Sequence, residues 1–508
     1  MVFPVGSAAL GPRGARVAAV AGGVATVLAF APSSWWPFGF LGPALLMWLW
    51  RDASPREAFR LGFLWAAGMF VPGTYWLYTA IHVFGLAPVW LALFLMLGLV
   101  ALMASYYGLL GYAAACWLRP ATPVGALVGV PCAWLLVDWT RGWLFSGFPW
   151  LQLGYSQSDT PLAALAPVAG VHGVTLVTLL VAAALVVMAG MSGRARIAAA
   201  VVLVTVAGGS VVLDGRSYTR PAGAPFEVAL VQGAIPQDLK WQEDNRAVTL
   251  DLYRDMTRKA LGAKLIVWPE AALPVLAHEA SDYLDAMWRE ARAKGSDLIL
   301  GLLRLDFATN RFYNGMVAFS DGTTWYYKRR LVPFGEFFPV PKFVRGWMRL
   351  MSLPYVDMSP GAERQAPLSA AGIHIAPTIC YEDAYGSEQL ATLGESELLV
   401  NVTNNAWFGD STAPHQQLQM ARFRAREAGR YLARATSNGI TAIIAPDGRV
   451  VARAPQFVPE ILRGRVTPMT GLTPYAHTGN WPVLVLAWCG LAVALAGRRR
   501  GGAVRTAS

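Results

Sequence analysis

The sequence predicts a polytopic α-helical membrane domain of eight spans joined to an α/β layered sandwich. Three observations carry this. The 508 residues are 55% hydrophobic and 14% charged, with a mean hydropathy of +0.40, whereas a soluble chain carries about a quarter charged residues. Long apolar runs fill residues 1–214 and return at 481–497. Between them the acidic residues gather and the apolar runs shorten to strand length.

Spans are expected at about 16–31, 34–50, 57–79, 88–117, 123–140, 163–190, 194–213 and 481–497, since a crossing takes ~20 apolar residues. Arg13 and Arg16 before the first apolar run would also suit a signal peptide. Further spans follow it, so it is read as an anchor. With both termini inside, the inner segments hold Arg51, Arg56, Arg60, Arg119, Arg194, Arg196 and Arg498–Arg500, while the short outer loops hold essentially Arg141. That bias places residues 215–479 outside, in the periplasm of a two-membrane bacterium. Residues 480–508 become the last span and a basic cytoplasmic tail. The net charge of +11 then reads as topogenic arginine plus attraction to a lipid bilayer. A nucleic-acid partner is not expected, because no dense basic run with interleaved aromatics occurs in the polar part.

Within the polar domain, strand-like runs fall at Phe226–Gln232, Leu265–Trp268, Leu298–Leu303, Tyr313–Phe319, Ile373–Cys380, Leu398–Thr403 and Ile440–Ala445, with helix-like segments at Ser281–Lys294 and Gln417–Ala435. This alternation gives the layered sandwich. Phe337–Pro360 is aromatic and Met-rich, long for a plain connection, and reads as a lid or docking loop or as a core-packing insertion.

Of the four cysteines, Cys116, Cys132 and Cys489 lie in apolar runs and Cys380 does not. Cys380 ends an apolar strand, the setting a nucleophile requires. Leu265–Trp268 runs into Pro269-Glu270, and Tyr326-Tyr327 runs into Lys328. Each element alone has a plain structural reading: a core cysteine, a turn, a solvated basic face. Together they supply a thiol, a carboxylate that can move its proton, and an ammonium that can lower the thiol pKa or hold an oxyanion. No His/Cys spacing suggests a metal, and no cofactor is expected.

Glu270, Lys328 and Cys380 in this order resemble the triad of the nitrilase superfamily. Val231–Gln237, Trp268-Pro269-Glu270, Leu331–Glu336, Cys380-Tyr381-Glu382, Asn404–Asp410, Gly471–Tyr475 and Gly142–Trp150 resemble the bacterial apolipoprotein N-acyltransferase family. The resemblance implies a nitrilase-like αββα sandwich in the inner membrane. It implies that Cys380 takes an acyl chain from a phospholipid, typically phosphatidylethanolamine, as a thioester. The acyl chain would pass to the α-amine of a diacylated apolipoprotein. Glu270 would be the general base, Lys328 the oxyanion stabiliser, Glu336 its orienting partner, and Glu382 a helper beside the nucleophile, unless it is a simple turn carboxylate. Trp241, Trp407, Phe408 and Gly409 would line the substrate path. Departures exist: Pro414-His415-Gln416-Gln417 shifts the histidine, which is read as structural. Asp138 stands where Glu is expected, three residues before Arg141, a functional charge or a plain pair.

Two other readings compete. A membrane-tethered amidase of the same fold shares the triad. A transporter with an inactive outer domain needs paired intramembrane charges or broken repeats, and few ionisable residues sit within the spans.

Overall fold

The structure is a computed structural model that describes residues 10–337 and 357–503, with side chains as far as residue 497. The Phe337–Pro360 segment therefore lies, for residues 338–356, outside the described residues. The chain divides into two compact units, Met1–Arg216 with Asp410–Gln419 and Thr478–Ser508, and Ser217–Gly409 with Met420–His477.

The first unit is helical. Helices run over Gly11–Val27, Phe38–Trp50, Pro55–Gly73, Val89–Ala113, Val130–Thr140, Ala166–Gly190, Arg194–Leu213 and Trp481–Ala503. Among the described residues, three helical stretches are long and apolar enough to cross a membrane: Val89–Leu118, Pro161–Gly190 and Arg194–Leu213. Phe38–Trp50, Gly125–Thr140 and Trp481–Gly497 are shorter apolar helices. Ser54 accepts a hydrogen bond from Glu57 N at the start of the third helix, with Pro55 in its first turn, a normal N-terminal cap. Helices meet closely through small residues. A Cβ on Gly23 would stand 1.9 Å from Trp65 O, and one on Gly62 would stand 2.2 Å from Tyr107 O.

The centre of this unit is aromatic. Trp65 and Tyr107 both pack on Trp134, at ring separations of 5.3 and 5.4 Å. Below them Tyr107 donates to Asp138 Oδ1 at 2.7 Å and Arg141 Nε donates to the same oxygen at 2.9 Å. Arg141 Nη1 donates to the carbonyls of Phe148 and Trp150, both at 2.8 Å. Asp138 and Arg141 are fully buried, so this pair is internal and fastens the 142–150 loop. His415, read as structural, lies in the helix Ala413–Ala428 beside Gln416. Gln416 Oε1 accepts from Trp76 Nε1 and Trp150 Nε1, and its Nε2 donates to Gly73 O.

The second unit holds two six-stranded sheets. The strands are β1 Arg220–Pro221, β2 Phe226–Gln232, β3 Leu265–Val267, β4 Asp297–Asp306, β5 Arg311–Phe319, β6 Thr323–Tyr327, β7 Leu368–Ala370, β8 Ile373–Ile379, β9 Leu398–Thr403, β10 Leu432–Thr436, β11 Ala442–Ile444, β12 Val450–Arg453, β13 Glu460–Val466 and β14 Met469–Thr470. One sheet has the order β13-β2-β3-β4-β5-β6, the other β12-β11-β10-β9-β8-β7. The inner strands of each are parallel: β2 with β3, β3 with β4, β8 with β9, β9 with β10.

Strand periodicity builds the layers. In β2, Val228 and Leu230 join Ile375, Ile379, Val400 and Ala433 in one core between the sheets. Ala229 and Val231 point the other way, against Tyr253, Met256, Leu284 and Met287 of helices Asn245–Ala260 and Ser281–Ala293. Each inner strand is thus buried on both faces. One sequence expectation is corrected. The helix placed at Gln417–Ala435 runs over Ala413–Ala428, and Leu432–Thr436 is strand β10. Gly429, at φ +62°, ends the helix in the left-handed region that glycine enters freely.

Candidate active site

The parallel strands end where the chemistry-bearing residues lie. β8 stops at Ile379, and Cys380 opens a tight 3-10 turn, Cys380–Ala384. Cys380 has φ +52°, a left-handed conformation that costs a non-glycine residue about 1–3 kcal/mol. The turn is held by its own acids. Glu382 Oε2 accepts from Ile379 N at 2.8 Å and Asp383 Oδ1 accepts from Thr378 Oγ1 at 3.0 Å. Asp383 Oδ2 takes Arg434 Nη1 from β10 at 2.7 Å, and that nitrogen also donates to Asn401 Oδ1 at 2.6 Å.

Glu270 follows β3 and is 5% exposed. Both its oxygens are occupied. Oε1 accepts from Asn314 Nδ2 at 2.7 Å and Lys328 Nζ at 3.2 Å, and Oε2 accepts from Asn404 N at 2.7 Å. Lys328, at the end of β6, is 1% exposed. Its ammonium also donates to Glu336 Oε1 at 2.8 Å. Glu336 is held in turn by Asn314 Nδ2 at 2.9 Å and Val332 N at 2.7 Å. Five elements therefore converge on one carboxylate–ammonium–carboxylate cluster, buried at Glu270 and Lys328 and half-buried at Glu336.

The electrostatics follow from this packing. Burial pushes the Glu270 pKa up, but the Lys328 charge and the Asn314 and Asn404 donors outweigh it and hold the carboxyl below its usual range. Burial pulls Lys328 down, and Glu270 and Glu336 more than restore it, so it stays an ammonium. The Cys380 thiol is raised, by burial first and then by the Glu270 charge; Lys328 opposes this and loses. Lys328 does lower the thiol pKa, as the sequence predicts, but burial and the Glu270 charge outweigh it. The resting pair is a carboxylate beside a neutral thiol.

Glu382 caps the Cys380–Ala384 turn. It is wholly buried, and besides Ile379 N it accepts from Arg329 N at 2.7 Å and from the Tyr326 hydroxyl at 2.9–3.0 Å. Burial raises its pKa against these bonds. Trp241 is 49% exposed and Trp407 38% exposed. Trp241 follows the short helix Gln237–Lys240; Trp407 and Phe408 lie in the turn Asn405–Phe408, and Gly409 caps it at φ +55°. Their segments join the cluster through Asn404 Nδ2, which donates to Gln237 Oε1 at 3.2 Å. Asn314, Asn404 and Arg434 were missed by sequence reasoning. A polar residue inside an otherwise apolar strand, as Asn314 is in Tyr313–Phe319, was the available signal.

The fold and site define a nitrilase-type domain, and residues 227–475 match the family described as Carbon-nitrogen hydrolase. Residues 22–184 match the Apolipoprotein N-acyltransferase N-terminal domain. The chain is 42% identical over 496 residues to an apolipoprotein N-acyltransferase of Methylococcus capsulatus, covering 96% of this chain and 97% of that one. Similar proteins from Pseudomonas paraeruginosa (42% identical; 95% of each chain) and Azotobacter vinelandii (41% identical; 92% of this chain, 93% of that one) carry the same name. The chain belongs to the apolipoprotein N-acyltransferase family, and is an acyltransferase with a nitrilase fold.

Proposed function

We propose that the chain moves an acyl chain from a phospholipid, most readily phosphatidylethanolamine, to the N-terminal α-amine of S-diacylglyceryl-cysteine apolipoproteins. The observation that carries this is Glu270, ionised and oriented by three donors, beside Lys328 and the strand-end thiol of Cys380. In the first half-reaction Glu270 takes the Cys380 proton as sulfur attacks the ester carbonyl. Lys328 and turn N–H groups stabilise the oxyanion. The C–O bond breaks, Glu270 returns the proton to the leaving lysophospholipid oxygen, and a thioester remains. In the second half-reaction the neutral α-amine attacks the thioester. Glu270 takes its proton and gives it to the departing thiolate. One thiol serves both substrates in turn, so kinetics are ping-pong.

Glu336 and Glu382 act as positioning residues, and Trp241, Trp407, Phe408 and Gly409 line the substrate path. Eight spans anchor the chain in the inner membrane, three of them at the helical stretches long and apolar enough to cross it. Domain limits are 1–214, 215–479 and 480–508, with the catalytic domain periplasmic and both termini cytoplasmic. The loop-arginine bias supports that orientation. The amidase reading shares the site chemistry, but relatives matching the apolar half as well as the catalytic half favour acyl transfer. Purified protein incubated with phospholipid and a diacylated lipopeptide should give a mass increase of one acyl chain on the lipopeptide. Release of free fatty acid with no lipopeptide product would favour a hydrolase.

A further inference from the structure

Lys240 is a buried charge that the mechanism above does not use. It ends the short helix Gln237–Lys240, is 2% exposed, and makes no side-chain hydrogen bond among the described residues. Its ammonium lies 5.9 Å from the centre of the Trp241 ring, and its helix meets the Glu270 cluster through Asn404, which donates from Nδ2 to Gln237 Oε1 at 3.2 Å and from N to Glu270 Oε2 at 2.7 Å. Glu270 already serves Lys328, Asn314 and Asn404. A desolvated ammonium without an acceptor is costly, and burial accordingly lowers its pKa to about 8. An arriving anion would relieve that cost.

Resting on the phospholipid reading, we propose that Lys240 binds the phosphate of the acyl donor. The glycerol places that phosphate a few bonds from the scissile ester, so a cation beside Glu270 suits it when the carbonyl is at Cys380. The acceptor brings an amine and no phosphate, so Lys240 serves the first half-reaction alone.

The test compares acylation of Cys380 from phosphatidylethanolamine and from 1,2-diacylglycerol of the same chains, in the same micelles. Lys240→Met should lower kcat/KM for the phospholipid about 10- to 100-fold, the scale of a charged hydrogen bond. It should leave diacylglycerol within about twofold, and Lys240→Arg should retain most of the phospholipid rate. Transfer from a preformed thioester to lipopeptide should not change. Equal loss on both donors, or no loss on either, overturns the proposal. If Lys240→Met does not fold, the wild-type enzyme decides. With phosphatidylglycerol, whose headgroup has no amine, kcat/KM relative to diacylglycerol should fall as pH rises through about 8. Glu270, the facing charge, is ionised throughout and affects both donors alike. A constant ratio overturns the anchor. A wild-type enzyme that takes diacylglycerol and no phospholipid overturns the donor reading itself, and the anchor with it.

Discussion

Glu336 Oε1 sits 2.8 Å from Lys328 Nζ, closer than Glu270 Oε1 at 3.2 Å. Lys328 therefore hangs between two carboxylates, and Glu336 is the one that keeps it from collapsing onto the proposed base. Replacing Glu336 by Gln removes the half-buried charge of the trio. Acylation in a single turnover should fall about 10- to 100-fold, with unchanged helicity. Glu336→Asp should recover part of that loss. A wild-type rate in the Gln variant would mean that Glu270 alone positions the lysine.

Cys380→Ala should abolish both thioester formation and transfer. The triple replacement of Cys116, Cys132 and Cys489 should leave turnover largely intact, because none of them lies in the catalytic unit. Intact-protein mass after exposure to phospholipid reads both. An acyl adduct on the Cys380→Ala chain would remove the thioester mechanism.

The pH dependence has a definite sign. Glu270 is needed as a carboxylate and its pKa is held below the usual range, by Lys328 and the Asn donors against burial. The acid limb of acylation should therefore lie below the ordinary carboxylate value, and activity should be flat towards neutrality. Cys380 is raised by burial and by Glu270, so it remains a thiol at neutral pH. Alkylation by a small thiolate-selective reagent should accordingly be slower than for a free cysteine. Glu270→Gln removes the Glu270 charge that raises the thiol. It should quicken alkylation while acylation falls about 10²–10⁴-fold, the loss of a general base. Alkylation that slows instead would show that Glu270 activates the resting thiol.

Much of this was legible because strand ends are loud in sequence. Val267 and Ile379 close apolar runs just before the residues that carry charge or sulfur, so Glu270 and Cys380 stood out. The helix Ala413–Ala428 and strand β10 were fused because Leu432-Ala433-Arg434-Ala435-Thr436 has no apolar alternation to announce a strand. Arg434 is fully buried and paired with Asp383 from another strand's end, and long-range pairing of that kind leaves no local pattern. Asn404 acts through its backbone N–H on Glu270, a role no side-chain pattern can show. The raised thiol depends on burial outweighing Lys328, a balance that needs coordinates.

Glu382 bridges the two halves of the chemistry. One oxygen holds Ile379 N, one residue before Cys380; the other holds Arg329 N, in the peptide leaving Lys328. The Tyr326 hydroxyl donates between them. An amide in its place offers one oxygen and turns an NH2 toward a backbone donor, so one buried N–H loses its partner at a cost of about 1–3 kcal/mol. Glu382→Gln should therefore lower the melting temperature by several degrees. It should also cut single-turnover acylation by more than about tenfold, because a 1 Å displacement between nucleophile and cation is expensive. The two effects separate by temperature: well below the transition, where the variant is folded, the rate loss should persist. If the rate returns to the wild-type value there, Glu382 holds the fold and does not set the distance from Cys380 to Lys328.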